Sequence, residues 1–468
     1  MSMRILILFS QAFAAMAMGQ ATNPLAFRKI NLTTLFVGEG VTVADFNKDG
    51  KADVAAGSVY WLGPAFTQKV KYGDGAETFD GSKGYAAYYM NLPAQDLNGD
   101  GWMDIPVSAG VGGQDFWLEN PKGAGAGTWK KTQMVSYAGF ESNNLVPLLG
   151  NGKLQLLYAT NDKKIGWGAP DPVDPYKPWA FHAIGNPSPT GGFYALNTHG
   201  LGMGDLNADG KNDVMTCDAW YEQPASIAGD PLWIRHDFDF SQKKGIGASF
   251  TTNQAWGGSH MYAEDLDGDG DADVVASLDG HGWGLAWFEQ VKAAGGGIGF
   301  TPHMIMGDRS MEATYGAAFS QLHSLAFADM DGDGMKDIVT GKRYWAHNTT
   351  GDPEPMGQAV LYAFLQKRGA GGTTFKPMLL DTAAGSGCRL EAVDMNGDGY
   401  PDIAVSSKKG TNIFLSEGRA SIVTLPSRHA RASPTGPRVR FGFPGGFPAW
   451  ESGMRTLSGR AVPGPKMR

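Results

Sequence analysis

Six nine-residue segments share the spacing Asp-x-(Asn/Asp)-x-Asp-Gly-x-x-Asp, which concentrates oxygen ligands within one short loop. Calcium takes about 6–8 oxygen ligands. Side chains at loop positions 1, 3, 5 and 9, together with the backbone carbonyl of position 7, can converge on one ion. Glycine at position 6 permits the sharp turn that folds the loop around it. The spacing therefore predicts about six Ca²⁺ sites.

The predicted ligands occupy the same five positions of every loop. They are Asp45, Asn47, Asp49, Lys51, Asp53, Asp96, Asn98, Asp100, Trp102, Asp104, Asp205, Asn207, Asp209, Lys211, Asp213, Asp265, Asp267, Asp269, Asp271, Asp273, Asp329, Asp331, Asp333, Met335, Asp337, Asp394, Asn396, Asp398, Tyr400 and Asp402. Of the 47 acidic residues in the chain, 21 lie in these loops, and carboxylates so close together repel one another unless a cation is bound. Hairpin turns that hold no metal are the alternative for any single loop. Six copies in register favour metal.

A second set of residues lies just before these loops or between the strands that follow them. The candidates for catalysis are His199, His260, His281, His323 and Arg389. If they converge, histidine can act as a general base and arginine can neutralise an acidic group of a substrate. We therefore consider a polysaccharide lyase-like enzyme as one alternative.

Three other interpretations of these histidines stay open. They can have a structural role, pairing with backbone groups at strand starts. They can belong to a binding site for a glycan or an acidic ligand, together with the basic and aromatic stretch at 342–347. Three of them can also bind a transition metal, because imidazole suits such ions.

The acidic loops recur as part of a longer repeat. Their starts are 51, 109, 60, 64 and 65 residues apart, so the interval of 109 contains a further copy. The segment 146–157 fits as a degenerate third unit, with a glycine turn and an apolar strand but no carboxylate. Each unit predicts four strands: A before the loop, B after it, a tryptophan-containing C and an aromatic-led D. The fold class is therefore all-β, a seven-bladed β-propeller of four-stranded blades.

The order of the strands predicts how the ring closes. The chain begins with a D-type strand at 27–35, before the first loop. It ends with A, B and C strands at 389–393, 403–406 and 412–415, and no D strand follows them. We therefore expect the N-terminal strand to complete the last blade, which removes two open sheet edges.

Composition and charge agree with an all-β protein. Hydrophobic residues make up 42% of 468 residues, enough for a large core, and 67 glycines with 11% aromatics favour short strands and tight turns. The net charge of −8 argues against a nucleic-acid partner. Cys217 and Cys388 belong to different units, so no disulfide is expected.

We predict three segments along the chain. Residues 1–21 form a signal peptide with Arg4 before an apolar core, and this core is too short to span a bilayer. Residues 25–416 form the propeller, and residues 419–468 form a mostly disordered tail rich in Arg, Pro, Gly and Ser. No transmembrane segment is expected. The predicted location is secreted, with association at a cell surface as a further possibility.

The acidic loops and the Trp-Tyr-Glu-Gln-Pro strand at 220–224 resemble FG-GAP/VCBS repeats, the calcium-loop propeller repeats also found in the head regions of integrin α-chains. The resemblance covers about residues 25–416 and implies Ca²⁺ in the A–B loops, an extracellular setting and ligand binding. It implies no ion in the third unit. The function we expect is a secreted, monomeric calcium-binding module for an extracellular glycan or protein ligand. The alternative is a secreted carbohydrate-active enzyme with a His/Arg site on the face opposite the calcium loops.

Overall fold

The computed structural model describes residues 25–418 except 83, 87, 111, 124–126, 140, 163, 186–198, 242–256, 294 and 347–350. The predicted signal peptide (1–21) and the predicted tail (419–468) therefore lie outside the described residues. In the described part, no helix is long or apolar enough to cross a membrane. The helices there are a 3₁₀ turn at Arg309–Met311 and the short helix α1, Glu312–Tyr315.

The described residues form 28 strands that repeat the predicted A, B, C and D roles. The A strands are β2 (Val41–Ala44), β6 (Met90–Asn91), β10 (Asn144–Val146), β14 (Leu201–Gly204), β18 (His260–Glu264), β22 (Leu325–Ala328) and β26 (Leu390–Val393). The B strands are β3 (Asp53–Ala56), β7 (Ile105–Ser108), β11 (Gln155–Ala159), β15 (Asp213–Thr216), β19 (Asp273–Ser277), β23 (Asp337–Gly341) and β27 (Asp402–Ser407). The C strands are β4 (Val59–Leu62), β8 (Gly113–Glu119), β12 (Ile165–Gly168), β16 (Ala219–Glu222), β20 (Leu285–Lys292), β24 (Leu361–Gly369) and β28 (Gly410–Ser416). The D strands are β1 (Phe27–Thr33), β5 (Gln68–Lys71), β9 (Lys130–Ala138), β13 (His182–Gly185), β17 (Ile234–Asp237), β21 (Ile298–Met306) and β25 (Gly372–Asp381).

Antiparallel A-B-C-D sheets are the building block of the fold. Five separate four-stranded sheets have this order, and a sixth sheet has eight strands. The eight-stranded sheet consists of two such units, because β14 pairs in parallel with β18 from Leu201↔His260 to Met203↔Tyr262. This arrangement is a β-propeller with four-stranded blades.

The N-terminal strand closes the last sheet, as the sequence predicts. β1 pairs antiparallel with β28 from Phe27↔Ser416 to Thr33↔Thr411, and β28 continues the sheet through β27 to β26. The two ends of the described chain are thereby joined by a row of backbone hydrogen bonds.

The A strands lie next to one another around the centre. β2 contacts both β6 and β26, and β22 contacts both β18 and β26. Cores form where the faces of neighbouring sheets meet. Val54 of the first sheet and Ile413 of the last sheet belong to one such cluster, and both are fully buried. B strands such as β19 are buried along their whole length, which explains the apolar run at 274–276 within β19.

The strand directions separate two rims of the propeller. The acidic loops join each A strand to its B strand and lie on one rim. The D–A and B–C connections lie at the opposite ends of the same strands, on the other rim. The acidic loops and the histidine-containing connections thus occupy opposite faces.

Candidate functional sites

The acidic loops fold tightly around their own carboxylates. In the first loop, Asp45 accepts hydrogen bonds from the backbone N–H groups of Asp49 at 3.1 Å and Gly50 at 2.8 Å. Asp49 accepts one from the N–H of Lys51 at 2.8 Å. The side-chain oxygen of Asn47 accepts a hydrogen bond from the N–H of Asp49 at 3.0 Å. These bonds turn positions 1, 3 and 5 toward the interior of the loop.

Two of the loops bring three carboxylates together. In each set, one carboxylate oxygen per residue lies within 4.8 Å of the others; the sets are Asp265, Asp267 and Asp269, and Asp329, Asp331 and Asp333. In the second set the Lys367 ammonium lies 2.8 Å from Asp331 and also pairs with Asp333. Positions 1, 3 and 5 therefore offer a convergent group of oxygen ligands, which fits a hard cation such as Ca²⁺.

The aspartate at position 9 binds two separate stretches of backbone. In the first unit, Asp53 accepts a hydrogen bond from the N–H of Phe46 at 3.0 Å and another from the N–H of Gly63 at 2.9 Å. Phe46 lies at the start of the loop and Gly63 follows β4. The Asp53 carboxylate thus ties the loop to strands B and C of its sheet.

In all six acidic loops, the position-9 carboxylate accepts the same pair of backbone hydrogen bonds. The six residues are Asp53, Asp104, Asp213, Asp273, Asp337 and Asp402, and all are buried. Burial raises the pKa of each carboxyl to about 6 or 7. Since both oxygens already bind backbone amides, position 9 has a structural role whether or not it also contacts an ion.

The third unit keeps the turn without the charge. Gln155 stands in place of the position-9 aspartate, and its side-chain oxygen accepts the N–H of Leu149 at 3.0 Å. Its amide nitrogen donates to the backbone carbonyl of Lys153 at 3.0 Å. A neutral amide thus replaces the carboxylate, in agreement with the degenerate unit predicted at 146–157.

Three of the five candidate catalytic residues meet on the opposite rim. The rings of His199, His281 and His323 lie 4.8 to 5.0 Å apart, centroid to centroid, each nearly perpendicular to the others. Glu141 joins them, and one ligand atom from each of the four residues lies within 4.8 Å of the other three. We call these four residues the axial cluster.

The two oxygens of Glu141 face different partners. Oε1 lies 2.6 Å from Nη1 of Arg343 and accepts a hydrogen bond from the Tyr89 hydroxyl. Oε2 lies 2.9 Å from Nε2 of His199 and 4.0 Å from Nε2 of His281. Burial alone would raise the pKa of Glu141, but Arg343 and then His199 outweigh it and hold that pKa well below its ordinary value. Glu141 is therefore an anion with one oxygen aimed at the histidines.

A buried ionic network supports Glu141 from behind. Arg343 also contacts Glu39, with Nη2 3.0 Å from Oε2. Lys408 lies 2.5 Å from the other oxygen of Glu39 and donates to the backbone carbonyl of Trp345 at 3.1 Å. Burial tends to raise the pKa of Glu39, yet Arg343 and Lys408 lower it overall. The order Lys408, Glu39, Arg343, Glu141 alternates in charge, so each buried ion has an opposite neighbour.

His281 has a carboxylate on its far side. Its Nδ1 lies 3.5 Å from Oδ1 of Asp352, whose side chain is buried. A carboxylate at Nδ1 favours a proton there and leaves Nε2 as the lone pair that faces Glu141. Burial lowers the pKa of His281 to about 4 and the pKa of His323 well below its usual value. Both imidazoles are therefore neutral at neutral pH.

The other two candidates lie outside the axial cluster. Nη1 of Arg389 donates to the backbone carbonyl of Val41 at 2.5 Å and binds Glu391 at 2.7 Å. His260 begins β18 and is buried, and burial with the nearby Arg389 charge lowers its pKa to about 3. Arg389 therefore turns toward its own strand and the neighbouring A strand, and neither it nor His260 is among the four residues of the axial cluster.

The histidines of the D strands have a structural role. His182, His236 and His303 stack on the tryptophans of the adjacent C strands at 4.1, 3.9 and 4.4 Å between ring centroids. Each also binds a carboxylate of a nearby residue. These contacts lie far along the sheets from the A strands.

Sequence reasoning missed Glu141 and Glu39. Neither residue lies at a repeated position of the acidic loops, and both belong to D–A connections, whose sequences vary between units. Their position two or three residues before the A strands β10 and β2 matches that of His199 before β14 and His323 before β22. That alignment was the available signal.

No protein-family model matches the chain, and no curated protein matches it. Solved structures with a similar fold include BBS1N in complex with ARL6DN, at 9% identity and TM-score 0.44, over 84% of this chain and 96% of that chain. Sqt1 from Saccharomyces cerevisiae is similar at 9% identity and TM-score 0.42, over 85% and 99%. Rhamnogalacturonan lyase YesW is similar at 11% identity and TM-score 0.39, over 84% and 76%. These likenesses concern the fold alone.

Proposed function

We propose that this chain is a secreted calcium-binding β-propeller of the FG-GAP/VCBS type, acting as an extracellular binding module. The observation that carries the proposal is the convergence of the carboxylates of loop positions 1, 3 and 5, within 4.8 Å of one another in two loops. The ligands would be the side chains at these positions and the backbone carbonyl of position 7, with position 9 close behind. A bound ion would remove the repulsion between the carboxylates and fix the loop.

We also propose that the propeller has seven blades. The eight-stranded sheet contains two complete A-B-C-D sets, joined by the parallel pair of A strands β14 and β18. Neighbouring A strands at the centre of a propeller lie side by side, so pairing between two of them does not remove a blade. With the five separate sheets, this interpretation matches the seven units of the sequence repeat.

The ligand of the module would bind on the rim opposite the calcium loops. A depression of about 280 Å³ there is lined by residues of B–C and D–A connections, among them Tyr344, Gln358, Thr382 and Lys409. The Lys409 ammonium lies 3.9 Å from the centre of the Tyr344 ring. An aromatic ring beside an ammonium and several polar groups suits a glycan with acidic groups. The volume of the depression is near the lower end of the range for ligand sites, about 300 Å³.

The lyase alternative is less well supported. It requires an arginine that is free to neutralise a substrate carboxylate, whereas Arg343 is 1% exposed and contacts both Glu39 and Glu141. His199 and His323 are equally inaccessible in this arrangement. New absorbance at about 235 nm during incubation with acidic polysaccharides would favour the enzyme over the binding module.

Thermal unfolding with and without calcium tests the proposed function. A site with a Kd at one tenth of the ambient calcium adds about 1.4 kcal/mol, so six sites add on the order of 8 kcal/mol. We expect EDTA to lower the melting temperature sharply and added Ca²⁺ to restore it. The variant Asp267→Ala should need more calcium for the same effect, while the control Asn151→Ala, in the third unit, should not. A melting curve indifferent to EDTA and to calcium would contradict the proposal.

A further inference from the structure

The axial cluster contains buried nitrogen atoms that the protein itself does not satisfy. His199 and His323 are 1% and 3% exposed. Neither ring nitrogen of either residue has a hydrogen-bond partner among the described residues. His199 Nε2 is 2.9 Å from Glu141 Oε2, a charge contact without a hydrogen bond between the two atoms. Buried polar atoms without a partner are rare and indicate a missing ion or water.

The protein groups behind the cluster have the arrangement that metal ligands require. Asp352 faces Nδ1 of His281, which directs Nε2 toward the cluster, and a carboxylate behind a histidine is the usual support of a metal ligand. Arg343 and Tyr89 hold Oε1 of Glu141, so Oε2 is left facing the histidines. Each ligand is thus oriented by a second residue.

The number and type of ligands select the class of ion. Three imidazoles and one carboxylate suit zinc and similar divalent transition metals, whereas calcium prefers oxygen ligands alone. Tetrahedral zinc with bonds of about 2.0–2.1 Å places its ligand atoms ~3.4 Å apart. The four ligand atoms now lie within 4.8 Å of one another, so side-chain movements on the order of 1 Å would close the site.

We propose that His199, His281, His323 and Glu141 bind one divalent transition-metal ion of the zinc class at the centre of the rim opposite the calcium loops. With four protein ligands the site is closed and structural. Glu141 lies between β9 and β10, His199 before β14, His281 between β19 and β20, and His323 before β22. The ion would therefore join several units of the repeat, whereas each proposed calcium ion would be held within a single unit.

The metal content of the purified full-length chain tests this site separately from the calcium loops. In a buffer with excess Ca²⁺, we expect one zinc-class ion per chain, removable by 1,10-phenanthroline, which leaves calcium bound. Zinc added back should bind with a submicromolar Kd and raise the melting temperature while calcium is held constant. This outcome does not depend on whether calcium fills the acidic loops.

Two variants and one spectrum locate the ion. His323→Gln should lower the zinc affinity at least tenfold, and Asp352→Asn, which acts through His281, should lower it about 10–100-fold. His260→Gln is the matched control, a buried histidine of the same rim outside the cluster, and should leave the affinity unchanged. X-ray absorption of the wild-type zinc form should show about three imidazole ligands, even if a variant fails to fold. Absence of a zinc-class ion, a spectrum without imidazoles, or equal affinities for His323→Gln and His260→Gln would overturn the proposal.

Discussion

Arg343 and Glu39 face each other in the interior, with Nη2 of the arginine 3.0 Å from Oε2 of the glutamate, although 304 residues separate them. Both side chains are almost completely buried. Charges removed from water in this way are tolerated only when each is paired. The contact therefore joins the first and sixth units of the repeat through an interaction that the repeat itself does not encode.

Removing the Glu39 charge should destabilise the protein strongly. Glu39→Gln leaves Arg343 and Lys408 short of a buried partner, and breaking such a pair costs about 3–5 kcal/mol. The control Glu77→Gln breaks the exposed pair with Lys69 and should cost less than about 1 kcal/mol. Urea unfolding of the two variants measures the difference. Equal losses of unfolding free energy would show that the buried network stabilises the protein no more than an exposed ion pair.

The position-9 aspartates should matter even without metal. In calcium-free protein, Asp273→Ala leaves the buried N–H groups of Leu266 and Gln290 without an acceptor. The expected loss is about 2–6 kcal/mol, since each of the two unsatisfied groups costs about 1–3 kcal/mol. Asp271→Ala changes an exposed residue of the same loop and should cost less than about 0.5 kcal/mol. Chemical denaturation in EDTA compares them, and a similar cost for both would refute the structural role of position 9.

Asp115 should make stability depend on pH. It is fully buried, with one oxygen 2.6 Å from the Asn143 amide, and burial raises its pKa to about 7. The unfolded pKa is about 3.9. The stability that the bound proton contributes is therefore fully present below pH ~4 and is lost as the pH rises through about 7. The free energy of unfolding falls by up to ~4 kcal/mol over this range.

The variant Asp115→Asn isolates this contribution, because it keeps the shape of the side chain without the ionisable group. Between pH 5 and 8, the unfolding free energy of the wild type should fall more steeply than that of the variant. Parallel curves for the two proteins would mean that Asp115 is ionised without cost, and the assigned burial effect would be wrong.

The N-terminal strand should be required for a stable ring. Deleting residues 1–33 removes β1 and exposes the edge of β28, whereas deleting residues 1–24 leaves β1 in place. The first deletion should lower the melting temperature by on the order of 5–10 °C and promote aggregation through the open edge. Differential scanning calorimetry and light scattering distinguish the two shortened proteins. Identical behaviour would show that β1 does not hold the ring closed.

Most of the correct predictions follow from local sequence patterns. The acidic loops and the aromatic-led strands are short segments with fixed spacing, so their conformation depends on nearby residues, and the closure by β1 follows from their order. The meeting of His199 with Glu141 depends on how distant connections approach the centre, which spacing along the chain does not determine. For the same reason, spacing along the chain does not determine that the cluster contains Glu141 and lacks His260 and Arg389.

The central claim is that the acidic loops bind calcium, and the stoichiometry of bound calcium tests it most directly. Equilibrium dialysis followed by elemental analysis of the full-length protein should find about six Ca²⁺ per chain. Asp267→Ala should lower this number by about one, and Asn151→Ala should leave it unchanged. A value of zero or one for the wild-type protein at millimolar calcium would contradict the account.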